Sequence, residues 1–486
     1  MINGVFVRKA FRLFLITVWF TMPPLHMEAQ QNNTLFFMHS IPEANFLNPA
    51  VQLDCGIFIG LPVFSSFHMN IANSGFTPAS MITLYTDGSF ERKHNFNTSK
   101  LANRNYMLGE FHSTLFALGI RRNRDYYSFT ITEKNNTAFL YSADLIAFTL
   151  RGSEEFEGNA IGIQGTRMMM NHYREFAFGI ARKRSSNLTV GAKVKILFGE
   201  FNLNTGNSAL NVYVENGTRE LIFDFDGGFN SSLPVALREE APDAYRFQEV
   251  YDAPLLKHLM NFRNPGLAFD AGFIYKYNDR LVLSGSLLDL GLIYYRSNLT
   301  NYRIEGSYTY NGPFGNGSVD EDYLLDVFDE LNRNMTDEVT ANPYVQFLDP
   351  RIYLGAAYKL NTRYDLNFLL YNRLLPGKLQ TGATISLLTR ADKKLRTSVS
   401  WSYMNNSITN LGLGVAYGKR PVQLYLVSDN MLGFILPFYV KNVNLRAGIN
   451  LKLSCRESYD INQCGCEWIR KEESRRSRNE KFRRGK

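Results

Sequence analysis

The side chains that do chemistry are present in this chain but are not assembled. Seven histidines, His26, His39, His68, His94, His112, His172 and His258, stand far apart, with no pair at metal-ligand spacing. A Gly-x-Ser-x-Gly elbow, a His-Glu-x-x-His pair and a phosphate loop are all missing. His112 with Ser113, or His172, offers the start of a barrel-wall hydrolase, but no third group orients either base. The acids Asp320, Glu321, Asp322, Asp326, Asp329 and Glu330 attract cations, yet they lack the glycine and alternating ligands of a calcium loop. Cys464-Gly465-Cys466 is too tight for an easy internal bridge, and with Cys455 it makes an incomplete metal set. The expectation is a protein that is not an enzyme and that carries no cofactor and no metal.

The elements around these residues say more. From about Cys55 to Leu453 apolar and polar residues alternate, run after run. Leu188, Val190, Ala192, Val194, Ile196 and Phe198 alternate with Thr189, Gly191, Lys193 and Lys195, and Val399, Trp401 and Tyr403 with Ser398, Ser400 and Ser402. Period two places the apolar set on one face of a strand and the polar set on the other. Arg8, Lys9 and Arg12 precede a short apolar run, Leu13 to Met22, and Met27-Glu28-Ala29 offers a small residue for cleavage. That is the layout of a signal peptide over residues 1–30, with a buried N-terminal helix as the alternative. Behind a signal peptide, such strands make an all-β, antiparallel transmembrane β-barrel of the outer-membrane type, apolar outside and wet inside. A slightly negative mean hydropathy, −0.21, fits a barrel, because lumenal polar residues cancel lipid-facing apolar ones.

The net charge of +8 sits mostly at the ends. Glu467 to Lys486 carries nine Lys and Arg against four Glu, so residues 455–486 form a basic, cysteine-containing periplasmic tail. It is either a plain solvated extension or an arm for an anionic periplasmic envelope partner. The rest is close to neutral, and no nucleic acid is expected as a partner.

Loop lengths order the strands. Strands over Cys55–Ile71, Tyr106–Ile120, Tyr126–Tyr141, Met168–Lys183, Leu188–Asn204, Leu267–Tyr277 and Arg280–Arg296 are followed by Ile352–Leu360, Arg363–Leu374, Lys378–Thr389, Arg396–Asn405, Ile408–Gly418, Val422–Ser428 and Asn442–Leu453. Every long excursion falls on one side and nearly every tight turn on the other, as outer loops and periplasmic turns do. This predicts about 14 strands within residues 55–454. Tyr126, Tyr127, Tyr275, Tyr277, Tyr294, Tyr295, Tyr358, Tyr371, Tyr403 and Tyr417 lie near strand ends, as an interfacial girdle or simply as good strand residues. Among the outer loops, Asn216-Gly217 joins a hairpin, and Ser318 with Glu321 caps a short helix bearing Tyr323, Leu324, Val327, Phe328 and Leu331. Glu110, Glu133, Asp270, Asp289 and Arg446 occupy polar strand positions and are candidates to line the lumen. Cys55 opens the first strand and Cys455 follows the last, so a closed barrel brings them together at the periplasmic end, as a disulfide or as free thiols.

The segment Ser40-Ile41-Pro42-Glu43-Ala44-Asn45-Phe46-Leu47-Asn48-Pro49-Ala50 resembles the Asn-Pro-Ala segment of FadL-type outer-membrane transporters and of PorP/SprF-type proteins. With Phe58 to Val63, Asn73 to Phe76 and Ser428-Asp429-Asn430, the mature chain is most similar to an uncharacterised Bacteroidota outer-membrane barrel family. The resemblance implies that residues 31–54 form a plug or hatch inside the barrel, with Asn48, Pro49 and Ala50 in it. It departs from the pattern in ending on a cysteine-bearing tail rather than on a strand with a terminal aromatic. The expected role is passage of small apolar molecules across the bacterial outer membrane, with outer-membrane lipid as surroundings. The alternatives are a non-transporting envelope scaffold, tied to secretion or gliding, and a secreted soluble β protein.

Overall fold

A computed structural model describes residues 32–455, except 63, 85–89, 93–95, 207–208, 218–219, 234, 242–243, 250–261, 311–335, 377, 390–393, 405–406 and 420. The expected signal peptide, the helix over Ser318 to Leu331 and the basic tail after Cys455 lie outside the described residues.

Fourteen antiparallel strands form one closed ring. Strand β1 is in two halves, Cys55–Gly60 and Phe67–Asn73. Then come β2 (Asn105–Arg122), β3 (Asp125–Tyr141), β4 (Arg167–Lys183), β5 (Leu188–Asn204), β6 (Pro265–Lys276) and β7 (Leu281–Tyr295). The rest are β8 (Arg351–Lys359), β9 (Tyr364–Leu375), β10 (Lys378–Thr389), β11 (Leu395–Met404), β12 (Ser407–Lys419), β13 (Val422–Ser428) and β14 (Asn442–Cys455). Each pairs with its successor, and β14 pairs with both halves of β1, which leaves the ring without a free edge. No described helix is long and apolar enough to cross a membrane.

The period-two pattern places side chains as expected, and inside out relative to a soluble protein. On β5, Val194 and Ile196 are exposed, while Lys193 and Lys195 between them are buried. On β11, Val399 and Trp401 face out, and Ser398, Ser400 and Ser402 are buried. Tight turns follow β2, β4, β6 and β8, and the long connections lie at the other end. There, the hairpin Ala209–Val214 and Leu221–Ser232 carries Gly217 at φ 89°, and a helix at Ala143–Arg151 is capped by the Ser142 hydroxyl.

Two strands depart from simple alternation. The expected first strand is continuous from Cys55 to Ile71, but the chain breaks between Gly60 and Phe67. Pro62 has no N–H to give to a ladder. The loop keeps its neighbours by other bonds, Ile449 N–H to the Phe64 carbonyl (2.8 Å) and Thr114 N–H to the Ser66 carbonyl (2.9 Å). On β7 a bulge at Leu288 and Asp289, with Asp289 at φ 58°, shifts the register against β6.

Candidate functional site

The lumen is occupied by the chain's own N-terminal segment, Asn32 to Asp54. Its first turn of helix, Asn33–Phe36, is capped from the barrel wall. The Asp429 carboxylate, just beyond β13, accepts the backbone N–H groups of Asn32, of Asn33 (3.2 Å) and of Thr34 (2.7 Å), and the Asn444 amide (3.0 Å). An acidic acceptor at a helix start satisfies donors that have no partner within the helix. Around this clamp, Thr34 and Ser400 share a hydroxyl hydrogen bond of 2.6 Å, and Asn33 donates to Thr384 (2.9 Å). Arg446 donates to Asn32 (2.9 Å) and Ser66 (2.8 Å).

Below the clamp the contacts turn apolar. Leu35, Phe36, Phe37, Met38 and Ile41 pack on Leu288, Tyr353, Leu369, Tyr371, Leu388, Met404 and Val427 of the wall, with Phe36 stacked on Tyr353 at 5.4 Å. Glu43, in the short 3-10 helix Pro42–Phe46, is fully buried and accepts from Asn450 (2.8 Å) and Ser65 (3.3 Å). Burial pushes its carboxyl up to about 7, against the pull of those hydrogen bonds and of Arg446. Burial likewise holds His39 down at about 4.

Asn48, Pro49 and Ala50 rest on two glycines paired across β5 and β6, Gly191 and Gly272. A Cβ at Gly191 would lie 2.3 Å from the Pro49 carbonyl carbon, and one at Gly272 would lie 2.2 Å from Asn48 Oδ1. The missing side chains make the seat. Asn48 donates to the Phe273 carbonyl (3.2 Å) and accepts from the Ala50 N–H (2.9 Å), while Lys193 donates to the Asn45 carbonyl (2.7 Å).

Beside the plug runs a buried network of charge. Asp289 meets Lys195 (2.6 Å), Lys134 (3.7 Å) and Arg351. Lys195 also meets Asp270 (2.7 Å), and Lys134 meets Glu175 (2.6 Å). Across the barrel Arg373 joins Glu110 (2.9 Å) to Asp349 (2.6 Å), and the His68 and His112 rings lie 5.3 Å apart beside Glu110. A recess of about 40 Å³ is lined by Glu110, Tyr173, Asp289, Arg351 and Arg373, and one of about 50 Å³ by Phe37, His39, Lys183, Lys276 and Lys359.

Of the candidate lumenal residues, Glu110, Asp270, Asp289 and Arg446 lie in this interior. Glu133 does not. Its neighbours Thr132 and Lys134 are the buried, inward residues of β3, so Glu133 faces the outer wall. At the end of the barrel that carries the tight turns Cys55 is disulfide-bonded, and the strand register sets Cys455 directly opposite it. The clamp at Asp429 was invisible to spacing alone, since its three donors are about 400 residues away in the sequence.

Residues 49–429 match the model of a family of unknown function, DUF5723. The chain belongs to that family. No curated protein matches the chain. Among solved structures, the Ralstonia pickettii toluene transporter TbuX is similar at 11% identity and TM-score 0.40, over 85% of this chain and 94% of that one. A Pseudomonas aeruginosa FadL homologue is similar at 11% and 0.40, over 88% and 100%. The P. putida toluene transporter TodX is similar at 11% and 0.36, over 84% and 92%.

Proposed function

We propose that this DUF5723 protein is a channel of the bacterial outer membrane, shut by its own N-terminal segment, and that it passes small apolar molecules when that segment yields. The lipid-facing belt of Val194, Ile196, Leu366, Phe368 and Trp401 supports the location. The observation that carries the function is the wall behind the plug. If Leu35 to Ile41 withdraw, the lumen at that level is lined by Leu288, Leu369, Leu388, Met404 and Val427, a surface suited to apolar cargo rather than to ions. The plug's head is held by hydrogen bonds to Asp429, Ser400 and Arg446, contacts that water can replace. One observation favours the second reading, an envelope scaffold: among the described residues, with the plug in place, recesses within the lumen measure about 40 and 50 Å³.

Locking the plug separates the two. Thr34→Cys with Ser400→Cys puts a crosslinkable pair where two hydroxyls now lie 2.6 Å apart. In proteoliposomes, the channel reading expects an apolar dye to enter about tenfold faster after reduction than in the oxidised variant, with wild type unaffected by reductant. Entry no faster than into empty liposomes in either state would leave the scaffold.

A further inference from the structure

We propose that Glu133, His172 and Glu200 bind a first-row divalent metal ion on the outer wall of the barrel, outside the lumen. The three residues come from adjacent strands, β3, β4 and β5. Glu133 and His172 alternate with the inward residues Lys134 and Tyr173, and so face outward. Glu200 joins them through a bulge: His172 pairs with Phe201 and Tyr173 with Gly199, which leaves Glu200 as the extra residue on β5.

The distances suit a metal site. His172 Nε2 lies 3.4 Å from Glu133 Oε2 and 3.7 Å from Glu200 Oε2, and the three donor atoms all fall within 4.8 Å of one another. These separations are long for hydrogen bonds, which run about 2.7–3.2 Å. They suit atoms sharing one ion: metal–ligand bonds of about 2.1 Å at a tetrahedral angle place ligands about 3.4 Å apart. Nε2 carries at most one proton and cannot hydrogen-bond both carboxylates in line, whereas a shared ion engages all three donor atoms.

Arg174 is the positioning residue. It binds the other oxygen of each carboxylate, Glu133 Oε1 through Nε and Glu200 Oε1 through Nη2 at 3.2 Å. Each Oε2 is thereby turned toward His172, as outer-shell partners orient metal ligands. The Phe201 ring stacks on the imidazole, 5.4 Å away at 9°, and fixes its plane. With a neutral imidazole these four groups carry one more negative than positive charge, on a wall where ionised groups are costly. A dication reverses that balance. One imidazole and two carboxylates with a position left for water suit zinc, and manganese or iron less tightly.

The test is Zn²⁺ binding to the full-length barrel in detergent, stripped with chelator and with free thiols alkylated so that cysteines cannot compete. The expected result is one equivalent bound per chain, against a competing chromogenic chelator. His172→Ala and Glu200→Gln should each weaken binding at least 100-fold, and Arg174→Lys about tenfold, in samples that keep the heat-dependent gel shift of a folded barrel. Should a variant fail to fold, Zn²⁺ on the wild type must still protect His172 from diethyl pyrocarbonate, mapped by mass spectrometry. Failure to bind, binding unchanged in the variants, or His172 modified equally with and without Zn²⁺ would overturn the proposal.

Discussion

Asp429 gathers three amide hydrogens from a segment that begins the described chain, and so holds the plug's head at a single side chain. Hydrogen bonds to a charged acceptor contribute about 1.5–3 kcal/mol, against about 1 for neutral ones. Asp429→Asn should therefore raise the frequency of spontaneous opening in planar bilayers by tenfold or more, while the heat-modifiable barrel persists. Glu43 adds a dependence on pH. Its carboxyl titrates near 7 in the plug, above the ordinary value of 4.5, so its contribution to docking is fully present below about 4.5. That contribution is lost as pH rises through 7, by up to about 3 kcal/mol. His39, held near 4, works in the opposite sense, favouring docking at higher pH and weakening it below about 6.5. Opening should thus increase from pH 5 to pH 8 less steeply in Glu43→Gln than in wild type, and an unchanged slope would remove Glu43 from the gate. The one lumenal candidate that faces the other way, Glu133, shows why single residues were hard to place. Thr132 to Thr137 is polar at every position, so the local phase of the strand is unreadable. It is set by the partners of Lys134, Glu175 and Asp289, on other strands.

At the level of elements the strands were legible because alternation and turn chemistry agree. Asn278-Asp279 and Asn361-Thr362 each mark a tight turn, with the Asn278 and Asn361 side chains accepting backbone N–H groups two and three residues on. The breaks were not legible. The bulge on β7 turns Asp289 inward from a position whose plain alternation matches outward Leu283, and only the paired strand reveals it. The plug carries no period of its own, and its place inside the barrel came from resemblance alone. Its seat supplies an element-scale prediction. Gly191→Val puts a side chain where the Pro49 backbone lies, so the barrel should form and keep its gel shift, with the plug displaced. Limited proteolysis should then cut between Asn32 and Asp54, in a segment resistant in wild type.

For the molecule as a whole, the ring is fastened where it begins and ends. We infer that Cys55 is bonded to Cys455, its partner in the strand register. Such a bond ties a loop of about 400 residues, so the unfolded, unreduced chain should run faster on a gel than the reduced one. Cys455→Ser should abolish that difference, and wild type showing none would refute the pairing.

The seam has a bearing on the order of events in assembly. The plug is the first part of the described chain, yet Asp429 and Arg446, which grip it, are among the last, and so is Asn444, which holds Asp429. The barrel closes where β14 meets β1. The N-terminal segment therefore completes its hydrogen bonds only when the C-terminal strands are in place, and its first docking depends on closure of the ring.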